Sequence, residues 1–418
     1  MKDELIIRAA DSFPTPFYLF DTDALQDRVK KITELLEGRA SLCFAMKANP
    51  FLIRSLRNLV DRFEICSPGE YHIFEKCDMY DQGMIYSGVY KDRKTLWEAL
   101  EKHAHDSLFT VESERHLRYL DEWTAENKKQ VQILLRLTSG NQFGMDEETV
   151  CGIVRDRERY PFLEIVGIHY FSGTQKKKVQ KIEKELLYLD AFCGKLLQEY
   201  GFKVEQLEYG PGAGISYFPS DKNVLSLEEM VCGIRDCIDQ MKFEGTITLE
   251  MGRFIAALCG QYFTTICDIK SNGNENYVIV DGGIHQINYD GQLKGMYLPY
   301  MKQLSAHKVY EIPAQKTEEA QNIWNVCGAL CTVNDVLCRQ ALLMPPQAGD
   351  VLVFERTGAY AAMEGMALFL SRDLPGVVMY SEERGMVEVR KKQDIYKYNC
   401  ETHESAVSYT HLTLPTNS

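Results

Sequence analysis

Between about residues 41 and 250, short apolar runs alternate with longer segments in which apolar residues recur three or four apart. Eight runs read as strands: Leu42–Ala45, Phe63–Cys66, Met84–Tyr86, Ser107–Val111, Val131–Arg136, Leu163–His169, Gln206–Tyr209 and Thr246–Glu250. The segments between them read as helices. In Lys181–Tyr200, for example, Ile182, Leu186, Leu187, Leu189, Phe192, Leu196 and Leu197 give the helical period. Strand–helix alternation implies a parallel sheet, and eight units imply a closed (β/α)8 barrel. The pattern changes near Cys259–Lys270. Five strand-like runs follow, Tyr277–Asp281, Val309–Ile312, Val351–Glu355, Val377–Tyr380 and Met386–Arg390. The expected organisation is an N-terminal strand segment over 1–24, whose run Phe17–Phe20 joins the β domain, a barrel over 25–267 and a β-rich domain over 268–404. The tail, 405–418, has no periodicity and reads as frayed or foreign.

Composition narrows the class of protein. The chain has 418 residues, 45% hydrophobic and 26% charged, enough for two cores. A formal charge of −13 repels polyanions, so no nucleic-acid partner is expected. No run of 18 apolar residues occurs and the opening residues lack a leader's apolar stretch, so no membrane span or signal peptide is expected. Thirteen scattered cysteines without a Cys-x-x-Cys pair suit free thiols in a reducing cytoplasm and no metal site.

Barrel enzymes carry their chemistry just past the C-terminal ends of the strands. Strand by strand, the chain delivers Lys47, Ser67, Arg136, His169 with Ser172, a loop with Gly210, Gly212 and Gly214, and Glu250 with Gly252 and Arg253. Each has an ordinary reading. A strand-end lysine is usually solvated, Ser67 before Pro68 is a helix cap, Arg136 can be one half of an ion pair, and a glycine loop can be a plain turn. Read together, Lys47 is an amine whose pKa burial would lower. The glycine loop can expose N–H groups to a phosphate. His169 supplies a ring to stack on, and Glu250 a carboxylate that needs a buried cation. One lysine, one phosphate cradle, one imidazole and one carboxylate fit pyridoxal phosphate.

With these residues in place, the chain resembles the alanine-racemase-fold decarboxylases that act on diaminopimelate, ornithine and arginine. The resemblance runs over about residues 12–395. It rests on Ala45–Pro50, His169–Gly173, Gly210–Gly214, Glu250–Arg253, Cys327–Asp335 and Gly358–Tyr360, in the family's order. It implies that Lys47 links to the cofactor and that His169 stacks on its ring. Ser172, the glycine loop, Gly252, Arg253 and Tyr360 would hold the phosphate, with Ser67 and Arg136 nearby. Glu250 would face the pyridine nitrogen. It further implies a homodimer in which Cys331, as proton donor, and Asp335, as a contact for the substrate's distal group, enter from a second subunit. Without that pattern Cys331 would read as a buried small hydrophobe, the usual fate of a free cysteine.

The chain departs from the diaminopimelate enzymes where Thr332 follows Cys331 in place of the usual Glu. No Arg follows Asp281-Gly282-Gly283 ahead of Tyr289, so Thr332 and Tyr289 fall at substrate-facing positions without the usual charges. Pro211 stands in the phosphate loop, and Gln142 where a Lys is common. The departures are similar to a side branch acting on unusual or carrier-linked amino acids. The activity implied is decarboxylation of diaminopimelate or of such a relative. The alternatives are racemisation on the same fold and non-catalytic binding of the cofactor.

Overall fold

The computed structural model describes residues 2–313 and 322–401; the tail at 405–418 lies outside them. All eight expected strands form. They are β2 (Ser41–Ala45), β3 (Arg62–Ile65), β4 (Gly83–Tyr86), β5 (Ser107–Val111), β6 (Val131–Leu137), β7 (Leu163–Phe171), β8 (Gln206–Gly210) and β9 (Thr246–Met251). Each pairs in parallel with the next, and β9 closes on β2 through Leu42↔Leu249 and Cys43↔Glu250. The strands are buried on both faces because helices cover the outside.

Most helices packed around the barrel begin at a side-chain cap. Asp21, Ser67, Asp92, Ser113, Asp146 and Ser226 each accept a backbone N–H in the first turn of α2 (Thr22–Leu36), α3 (Pro68–Lys76), α4 (Arg93–His103), α5 (Glu114–Asn127), α6 (Glu147–Arg155) and α8 (Leu227–Asp239). Helix α7 (Val179–Tyr200) is different: it starts at Lys178 with no side-chain cap. Its buried face carries Ile182, Leu186, Leu189, Phe192 and Leu196. Leu187 and Leu197, expected in the apolar set, are about half exposed, at 50% and 52%.

The remaining strands build a ten-stranded sheet. Strand β1 (Phe17–Asp21) lies between β10 (Gly260–Asn272), antiparallel, and β17 (Gly376–Ser381), parallel. The expected division at 267/268 therefore falls inside β10. Strands β11 (Glu275–Val280), β13 (Lys308–Glu311), β16 (Val351–Glu355) and β18 (Gly385–Arg390) match expected runs. Strands β12 (Met301–Ser305), β14 (Ile323–Cys327) and β15 (Val336–Leu342) do not, nor does helix α1 (Asp3–Ser12). In β12 the alternation is hidden because polar groups are buried with partners. Lys302 pairs with Asp3 and Glu311, and Gln303 Nε2 donates to Asp350.

This second unit reaches the barrel mouth. Tyr360 N donates to Ala48 O at 2.7 Å and Asn49 Nδ2 to Gly358 O at 3.0 Å, so the sheet side clamps the turn that carries Lys47. A Cβ at Gly358 would lie 2.0 Å from Ala256 O, which accounts for glycine at that close approach.

Candidate active site

Strand β2 runs into a 3₁₀ turn, Met46–Ala48, which turns Lys47 into the barrel mouth. Its ammonium meets Glu64 of β3, Glu250 Oε1 of β9 at 3.3 Å and Cys66 Sγ at 3.7 Å. Both carboxylates are buried, whereas the Lys47 side chain is 37% exposed. Burial was expected to lower the lysine pKa. It does act in that direction, but Cys66, Glu64 and Glu250 raise the pKa well above the ordinary value. Burial also pushes the Cys66 thiol up. The neighbouring groups together outweigh burial at Lys47, which is an ammonium.

The second oxygen of Glu250 meets His169 Nε2 at 3.1 Å. Burial and then Arg136 push the His169 pKa down to about 3, so the ring is neutral and carries its proton on Nε2, facing the carboxylate. Its Nδ1 is buried without a partner. Burial opposes the charge of Glu250, but Lys47, Glu64 and Arg136 hold its carboxyl below the usual range.

A cavity of about 240 Å³ opens above this cluster, lined by Lys47, Thr174, Gly212, Glu250, Gly252, Arg253 and Tyr360, among others. Arg253 donates to Tyr217 Oη at 2.8 Å and lies 4.5 Å over the Tyr360 ring, leaving its buried Nε unpartnered. Gly212 has φ +61° and passes so close to the preceding loop that a Cβ would sit 1.9 Å from Gly173 O.

Other expected residues lie elsewhere. Ser67 caps α3. Ser172 Oγ donates to Glu185 at 2.5 Å. Gly210 packs on Phe171, and the Gly214 N–H is spent on Lys176 O at 3.0 Å, so only Gly212 of the three faces the cavity. Arg136 is paired with Glu112 at 3.0 Å. Tyr289 Oη donates to Glu355 O at 2.7 Å, away from the cavity lining.

Asp335, expected to reach a substrate, is a staple instead. It is buried, and its two oxygens accept Ile284 N at 2.9 Å and Leu330 N at 2.7 Å. Gly283 and Gly328 leave the room it occupies. The staple holds a tip at residues 331–334 on which Cys331 is exposed, Thr332 accepts from Asn334 N and Val333 is 87% exposed.

Sequence reasoning missed Glu64, Cys66 and Tyr217. A glutamate between Phe63 and Ile65 in a buried strand was the available signal for Glu64. Tyr217, far along an irregular loop, gave none.

A family model described as "Pyridoxal-dependent decarboxylase, pyridoxal binding domain" matches residues 22–257, more than half of the chain. The chain belongs to the pyridoxal-dependent decarboxylases. It is 26% identical to the diaminopimelate decarboxylase of Aquifex aeolicus, over 93% of this chain and 91% of that protein. It is 24% identical to the L-glutamyl-[BtrI acyl-carrier protein] decarboxylase of Niallia circulans, over 87% and 88%. The fold matches the diaminopimelate decarboxylase of Helicobacter pylori complexed with L-lysine, with a TM-score of 0.78, 23% identity and coverage of 93% and 97%.

The decarboxylase cofactor, pyridoxal 5′-phosphate, fits the residues present. A lysine amine points into the cavity, a buried carboxylate lies beneath it, and the unpartnered Arg253 Nε and His169 Nδ1 remain free to bond.

Two outcomes follow from this geometry. Asp335→Ala removes two charged hydrogen bonds from a buried loop and lowers stability by about 2–3 kcal/mol in urea unfolding. Burial depresses His116 and His169 to about 3 and His285 to about 4. Stability of the cofactor-free protein is then full above pH 6.5 and falls as pH drops through the window down to those values. His169→Asn removes one proton from that slope, up to about 1.4 kcal/mol per pH unit, read from unfolding at pH 7 and pH 5.

Proposed function

We propose that this decarboxylase acts on an amino acid joined through its side chain to a larger group, a conjugate or a carrier protein, and works as a homodimer with shared sites. The observation that carries the chemistry is the Lys47–Glu250–His169 cluster at the floor of the cavity. The cofactor supplies an electron sink for the pair left when carbon dioxide departs. Lys47 would supply the amine that anchors it, Glu250 the carboxylate for its pyridine nitrogen and His169 a ring to pack against it. Arg253, Gly212, Gly252 and Tyr360 would hold the phosphate.

Each site also needs an acid to protonate the α-carbon, and we assign Cys331 of the partner subunit. The exposed tip supports this: Cys331 and the 87% exposed Val333 are held out rigidly, yet neither lines the cavity of their own chain. All thirteen cysteines are unpaired, which supports a reducing cytoplasm. Among the described residues no helix is long and apolar enough to cross a membrane.

The side-chain preference rests on charge. The distal end of free diaminopimelate carries one charge of each sign, and both need partners when buried. The 331–334 tip, Cys-Thr-Val-Asn, offers none. Free meso-diaminopimelate, giving lysine, is the second reading, favoured by the several relatives bearing that name. Carbon dioxide release from the two substrate types separates the readings. For the shared site, Lys47→Ala and Cys331→Ala proteins are each inactive, and mixing them under subunit exchange restores about a quarter of wild-type activity. Absence of any recovery excludes a shared site.

A further inference from the structure

The segment leaving β7 is unusual for this chain. Five lysines, Lys176, Lys177, Lys178, Lys181 and Lys184, fall within nine residues of a protein whose formal charge is −13. Two of the nearby acids are already spent, and the third, Glu183, stands alone against the remaining lysines. Glu185 accepts from Ser172, Lys176 and Tyr209. Asp221 takes Lys177 at 3.0 Å together with the backbone N–H groups of Tyr217 and Phe218. Lys178, Lys181 and Lys184 are left exposed, with no ion pair among the described residues. Lys181 and Lys184 are neighbours on the first turns of α7, and Lys178 precedes them at its extended N-cap position.

Lysines in the first turns of a helix oppose its dipole, and Lys178 stands where the other barrel helices have Ser or Asp caps. This arrangement weakens the helix for no contact within the chain. It also begins at the mouth. Thr174, four residues before Lys178, lines the cavity, so the stripe starts within about 14 Å of chain from the cavity wall. It then extends about 9 Å along the helix.

We infer that Lys178, Lys181 and Lys184 form the docking face for an acidic carrier protein that delivers the substrate on a flexible arm. The inference rests on the carrier-linked reading above and names the partner surface for it. An acidic partner is repelled by the overall field of this chain, so a local positive stripe beside the mouth decides where it docks. The substrate must be attached through its side chain, because the α-carboxylate has to remain free to leave as carbon dioxide.

The test uses the holoenzyme and the triple variant Lys178→Glu/Lys181→Glu/Lys184→Glu. The substrates are L-glutamate linked through its side-chain carboxyl to an acidic acyl-carrier protein, and the same glutamyl group on N-acetylcysteamine. The variant is expected to lose at least about tenfold in kcat/KM on the carrier substrate, through KM. The wild-type rate falls with salt on that substrate alone. Turnover of the small thioester and the cofactor absorbance stay unchanged. The new glutamates favour the helix dipole, so the melting temperature does not fall and misfolding cannot produce the loss. Equal turnover of the carrier substrate by both proteins overturns the docking face while leaving the substrate reading intact. A wild-type enzyme that decarboxylates free diaminopimelate and neither thioester overturns both.

Discussion

Two buried carboxylates facing one lysine at the mouth of a closed barrel are the arrangement on which the site depends. Lys47 keeps its proton because of them, and in turn helps hold the Glu250 carboxyl below its usual range. A third interior glutamate shows the same constraint resolved another way. Burial raises Glu208 to about 8, even with Arg62 at 3.4 Å, so it stays protonated at neutral pH and adds no negative charge beside Glu250. Binding a positively charged pyridine ring nitrogen beside Glu250 would relieve the same imbalance, which is why this cluster suits the cofactor.

The sheet domain contributes by holding this floor in place. Its 358–360 loop hydrogen-bonds the Lys47 turn, and Tyr360 stacks beneath Arg253 on the other side of the cavity. The same domain fixes the 331–334 tip through Asp335. One sheet thus shapes the chain's own cavity and carries an exposed thiol, Cys331, that does not line it.

The barrel was legible in the sequence because its strands are buried on both faces and read as continuous apolar runs, as in Leu42–Ala45 and Val131–Arg136. The missed strands are those where polar residues have buried partners, such as Lys302 and Gln303, so period-two alternation disappears. Among the site residues, those at strand ends (Lys47, His169, Glu250) came together as the strand order required. The residues assigned through loops divided: Gly212, Arg253 and Tyr360 line the cavity, whereas Asp335 turns inward as a staple, Ser172 towards Glu185 and Tyr289 towards a backbone carbonyl. Position along a strand fixes where a side chain points, whereas position along a loop does not.

The central claim is that Lys47, of all the lysines, holds the cofactor. Borohydride reduction of the purified holoenzyme followed by peptide mapping tests it directly. The account predicts a single reduced, cofactor-bearing peptide modified at Lys47 and no labelling of the Lys47→Ala protein. A label on any other lysine, or undiminished labelling of Lys47→Ala, would contradict it.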